Sequence, residues 1–71
     1  MNSEEVEIGK TYRCDWEDGR QYFATVLQKN DQRVLVSVGN KVNADGDADD
    51  VAFSLGTVGH QWVDAKQLHD L

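Results

Sequence analysis

Tyr12-Arg13-Cys14-Asp15-Trp16-Glu17-Asp18-Gly19-Arg20-Gln21-Tyr22-Phe23-Ala24-Thr25-Val26-Leu27-Gln28 is the stretch whose reading decides the fold. On its first arm Tyr12, Cys14 and Trp16 alternate with Thr11, Arg13 and Asp15, the period of a half-buried strand. On its second arm Tyr22, Ala24 and Val26 share one face, and Phe23, Thr25 and Leu27 share the other. Both faces of that arm carry apolar weight, so a central strand covered on two sides is expected. Between the arms stands Asp18-Gly19, a strong hairpin signal, because glycine accepts the positive φ that a tight turn demands. The stretch reads as a β-hairpin against which the rest of the chain packs.

Working outward, Met1 to Ile8 is polar and acidic, and reads as a disordered tail ahead of a single domain at 9–71. Gly9 turns the chain into the first strand. After the polar turn Lys29-Asn30-Asp31-Gln32, a third strand runs from Arg33 to Val38, with Val34, Val36 and Val38 on one face. Its pattern stops at Asn40, and the acidic run to Asp50 reads as a loop, either mobile or functional. Alternation resumes at Val51-Ala52-Phe53-Ser54-Leu55 and, after Gly56 and Gly59, at Gln61-Trp62-Val63. Asp64 with Gln67 has capping-box spacing, so a short helical turn is expected near the C-terminus. Short strands with turns at regular spacing read as a small all-β barrel or sandwich.

These residues resemble a known family. Trp16-Glu17-Asp18-Gly19 with Tyr22 and Ala24-Thr25-Val26 is similar to the first hairpin of Tudor domains. Val34 to Val38 with Gly39-Asn40, and Val63 to Leu68, resemble that family's third strand and its closing strand and turn. The resemblance implies a five-stranded SH3-like barrel. It also implies a candidate aromatic cage for methylated lysine or arginine, with Trp16 and Tyr22 as ring positions and Asn40 as a polar one. Near the end of the third strand, where the family places two further cage aromatics, this chain has Ser37 and Val38. Trp62 or Phe53 are the rings available as substitutes. Rings at these positions fit a cage, which holds a desolvated cation over ring faces, and equally fit the filling of an undersized core.

Thirteen acidic residues against seven basic give a formal net charge of −6. That argues against direct binding of nucleic acid, where affinity comes from Lys and Arg displacing counterions. It suits solubility, or docking on a basic protein surface. Cys14 is the only cysteine, so no disulfide forms within the chain, and a reducing cytoplasm is the expected setting. The first residues lack the basic and apolar regions of a signal peptide, and no stretch reaches the length of a membrane span.

No catalytic residues, metal site or cofactor are expected. His60 and His69 are not placed by any motif beside a nucleophile, and Cys14 alternates with core rings. One cysteine and two separated histidines do not make a structural zinc site. Asn43, Asp45, Asp47 and Asp49 alternate like calcium ligands, but Ala48 stands where glycine is needed and Ser54 where the closing glutamate belongs. Two functions remain. The first is a non-enzymatic protein-interaction module that binds a partner protein or cationic peptide through Trp16, Glu17, Asp18, Tyr22, Asn40 and Trp62. The second is a small acidic inhibitor, of the phage-encoded anti-restriction or anti-CRISPR type, occupying a nucleic-acid-binding surface of a host protein. In that case Asp45, Asp47, Asp49 and Asp50, with Glu17 and Asp18, stand in for phosphates.

Overall fold

Alternating side chains make strands when every second one has a core to enter, and here they do. The computed structural model describes the backbone of residues 1–52 and 59–71, and the side chains of residues 1–47 and 59–71. The first hairpin joins β1 (Thr11–Asp15) to β2 (Gln21–Asn30), with Tyr12 opposite Ala24 and Cys14 opposite Tyr22. Tyr12, Cys14, Tyr22, Ala24 and Val26 are buried, as their shared parity predicts. The turn itself is longer than Asp-Gly alone. The Gly19 N–H donates to the Trp16 carbonyl at 3.1 Å and the Trp16 N–H to the Arg20 carbonyl at 2.9 Å. Glu17, Asp18 and Gly19 thus form a three-residue loop, closed by Gly19 at a φ of 81°.

β3 (Arg33–Val42) follows a tight turn in which Asp31 takes a φ of 55°, and it buries Val34, Val36, Val38 and Val42. It continues past the expected end at Val38 because Gly39-Asn40 forms a bulge instead of a stop. The pairing shifts by one residue between Tyr22↔Lys41 and Ala24↔Val38. A second shift lies at Leu27, between Val26↔Val36 and Gln28↔Leu35. β4 (Ala48–Ala52) pairs with the last residues of β3, and β5 (His60–Asp64) with its first residues, from Arg33↔Asp64 to Ser37↔His60. Two strands thereby share one edge of β3.

The expected loop at 40–50 shrinks to Asn43–Asp47, for a physical reason. Asn43 Oδ1 accepts the N–H groups of Asp45 and Asp47, both at 3.0 Å, which fixes a second Asp-Gly loop. Its backbone bonds, Gly46 N–H to Asn43 and Asn43 N–H to Asp47, repeat those of the first hairpin. Asp49 and Asp50 fall within β4, not in a loop. The fourth strand expected at Val51–Leu55 starts earlier, and Phe53, Ser54, Leu55 and Gly56 lie outside the described residues.

Asp64 caps a 3₁₀ turn at Ala65–Gln67 with the expected box. Asp64 Oδ1 accepts from the Lys66 N–H at 2.9 Å, and the Asp64 N–H donates to Gln67 Oε1 at 3.0 Å. The chain does not continue as helix. Leu68 and His69 form β6, which pairs with Cys14 and Arg13 of β1. The fold is all-β and antiparallel, with strand order β4-β3-β2-β1-β6 and β5 on the free half of β3. Among the described residues no helix is long and apolar enough to cross a membrane.

Two expectations are corrected. β2 is central in strand order, but only one face is fully covered: Phe23 and Thr25 are half-buried and Leu27 is 37% exposed. Residues 1–8, expected to be disordered, carry a 3₁₀ turn at Ser3–Glu5 and insert Val6 into the core at 1% exposure. Lys29 Nζ donates to the Val6 carbonyl at 2.8 Å and to the Ser3 carbonyl at 3.1 Å, and the Glu7 N–H donates to the Tyr12 hydroxyl at 2.9 Å. The segment covers an end of the core that the strands leave open.

Candidate functional site

The first hairpin, β5 and the 3₁₀ turn meet around a groove of about 260 Å³, lined by Trp16, Glu17, Gln61, Trp62, Val63 and Gln67. Of the residues proposed from sequence, it brings together Trp16, Glu17 and Trp62. Trp16 is half-buried, packed on the core cluster through its position at the end of β1. Trp62 is 42% exposed, because its parity on β5 opposes that of buried Val63.

Tyr22 and Asp18 play a different part. Tyr22 is buried, and its ring meets that of Trp16 edge-to-face, with centroids 6.4 Å apart and planes at 84°. Such a contact positions the indole without opening a second ring face to a ligand. The Tyr22 hydroxyl donates to Asp18 Oδ2 at 2.8 Å, while Asp18 Oδ1 accepts from the Arg20 N–H at 2.8 Å. Asp18 therefore braces the hairpin loop. Desolvation pushes its carboxyl pKa up, but the Arg20 N–H, the Tyr22 hydroxyl and the Arg20 charge outweigh this and hold it below the usual value.

Asn40 does not join the groove. It is exposed at the β3 bulge, opposite Ala52. Asp45 and Asp47 are exposed on the second Asp-Gly loop. Asp49 and Asp50 are strand residues whose side chains lie outside the description.

Sequence reasoning missed Gln61 and Gln67. Gln67 was assigned only its cap, yet its Nε2 also donates to the Asp15 carbonyl at 2.9 Å, tying the C-terminal turn to the end of β1 beneath the groove. Asp15 reinforces that junction: Oδ1 accepts from Gln21 Nε2 at 2.8 Å, and Oδ2 lies 2.7 Å from His69 Nε2. The hydrogen bonds from Gln21 and then His69 hold the Asp15 carboxyl below its usual value, against a smaller upward push from desolvation.

Both carboxyls are held below the usual carboxylate pKa, so their stabilisation is complete above that usual value and is lost as pH falls through the folded values. Asp15→Asn and Asp18→Asn are each expected to flatten the acid limb of a Tm-against-pH curve below about pH 4, leaving its neutral part nearly parallel to the wild type. An acid limb of unchanged slope in both variants overturns this assignment.

Cys14 is fully buried, and burial, followed by the neighbouring Asp15 charge, pushes its thiol up to about 12. A thiol so raised is no nucleophile near neutral pH. Among the described residues no group of His, Cys, Asp and Glu is arranged to hold a metal ion. No protein family, curated protein or solved structure matches the chain.

Proposed function

We propose that this domain is a non-enzymatic protein-interaction module of the SH3-like, Tudor-like type, which binds a basic segment of a partner protein in the Trp16–Trp62 groove. The observation that carries the reading is the groove itself. Two indoles and the Glu17 carboxylate, which has no ion pair among the described residues, line one concave site on a chain of net charge −6. A cationic side chain there gains a polarised ring face and an opposite charge together. The barrel is supported by the return of β6 onto β1 after the 3₁₀ turn, which leads the strand path back toward its start. The ring set differs from a Tudor cage, since Trp62 partners Trp16 and Tyr22 lies beneath. The setting we infer is the cytoplasm, where a lone buried thiol stays reduced.

A second reading keeps one observation of its own. Asp45 and Asp47 are exposed on a hairpin loop braced by Asn43, a shape suited to entering a basic nucleic-acid site. Partner affinity and stability measured together separate the two. Trp62→Ala and Glu17→Gln are expected to stay folded and weaken partner binding by about tenfold or more, while Asp45→Asn with Asp47→Asn changes little. The opposite pattern, with affinity that falls steeply as salt rises, transfers the function to the acidic loop.

A further inference from the structure

We infer that the partner segment binds as an added β-strand along the free edge of β5, with side chains that alternate between basic and apolar. The inference rests on the groove reading above and specifies how the groove is filled.

Hydrogen-bond parity is the first observation. The Ala65 N–H donates to the Gln32 carbonyl and the Val38 N–H to that of Gly59, two rungs in the same antiparallel register as Val34↔Val63 and Val36↔Gln61. Rungs of this kind alternate with unbonded pairs, so Gln61 and Val63 turn their main-chain groups toward β3. Trp62, opposite Leu35, and His60, opposite Ser37, turn theirs away from β3. Among the described residues no strand pairs with this edge of β5. The next outward N–H, that of Asp64, is already taken by Gln67 Oε1. The open edge is therefore short, centred on the Trp62 N–H and carbonyl, and it lies at the groove lined by Trp16 and Glu17.

Side-chain direction sets the ligand's pattern. A residue directly opposite Trp62 shares its face of the sheet and lies against an indole that is 42% exposed, so an apolar residue fits. A hollow of about 360 Å³ lined by Asn30, Arg33 and Trp62 adjoins that face, and the Arg33 charge disfavours a cation there. The ligand's neighbouring residues point to the opposite face, over Gln61 and Val63, where Glu17 supplies a negative charge. Basic residues fit there. Main-chain bonds supply affinity and the alternating side chains supply selectivity, the general logic of strand addition.

The test uses a short peptide of alternating lysine and valine and two backbone-methylated forms, with the intact protein. In the inferred register the valine N–H groups face β5 and the lysine N–H groups face solvent. Methylation of the valine nitrogens is expected to weaken binding by at least about tenfold, and methylation of the lysine nitrogens by less than about threefold. Amide exchange at Trp62 is expected to be fast in the free protein and to slow on peptide addition, while Gln61 and Val63 are expected to be protected throughout. If both methylated forms bind like the parent and Glu17→Gln weakens all three, strand addition is wrong and the groove reading stands. If the parent peptide does not bind, both fall. Concentration-dependent protection of the Trp62 amide without peptide assigns the edge to a second copy of this chain, which overturns the inference.

Discussion

Val6→Asp is expected to unfold the domain at room temperature. Val6 is 1% exposed and sits in one cluster with Tyr12, Val26, Val34 and Leu68. Burying its side chain contributes about 1.5–3 kcal/mol, and a carboxylate in its place adds the cost of an unpaired buried charge, several kcal/mol more. A domain of 71 residues has only about 3–5 kcal/mol to lose. The same displacement breaks the bonds from Lys29 Nζ to the Ser3 and Val6 carbonyls and that from the Glu7 N–H to Tyr12. Glu4→Ala is the control, since Glu4 is exposed on the same turn. Urea denaturation should show the control near the wild-type midpoint and Val6→Asp with no folded baseline. Equal midpoints would mean that residues 1–8 do not close the core.

Gly19→Val carries the second-largest effect. A Cβ at Gly19 meets no atom within 4 Å, so crowding contributes nothing and the penalty is conformational. At a φ of 81° a β-branched residue is strained by about 1–2 kcal/mol or more, which is a large share of the total stability. Gly46, at a φ of 87° in a loop with the same hydrogen bonds, should respond alike. Gly19→Asn is expected to lose less than Gly19→Val, because asparagine tolerates the left-handed region. The ranking of chemical midpoints, glycine above asparagine above valine, checks the claim. Valine and glycine with the same midpoint would show that the loop does not need this conformation.

Which parts of this architecture the sequence revealed follows from where the information lies. Alternation at Tyr12, Cys14, Tyr22, Ala24 and Val26, and again at Val34, Val36 and Val38, is local, and each of these residues is buried. The Asp64–Gln67 box is local too. Val6 gave no signal because one apolar residue among acids has no period. The alternation of the third strand ends at Val38, and only cross-strand pairing distinguishes a strand end from the bulge at Gly39-Asn40 within a longer strand. The same limit hid the acidic loop's shortness: Asn43 orders it through its own side chain, a device that composition does not display. Tyr22 could have been placed in the core from its parity with Ala24 and Val26. The groove joins Trp16 and Glu17 to Trp62 and Gln67 across most of the chain length, and no local pattern specifies which residues meet at that distance.

The proposed function seats a basic segment in the groove lined by Trp16 and Trp62, with its cation beside Glu17. The measurement closest to it follows the two tryptophan indole N–H signals by NMR during titration with the lysine–valine peptide, in wild type and Glu17→Gln. Both indole signals should move together along one binding curve, with Glu17→Gln shifting that curve to higher peptide concentration by about tenfold or more. Indole signals that stay fixed while the Asp45 and Asp47 amides move would contradict the account.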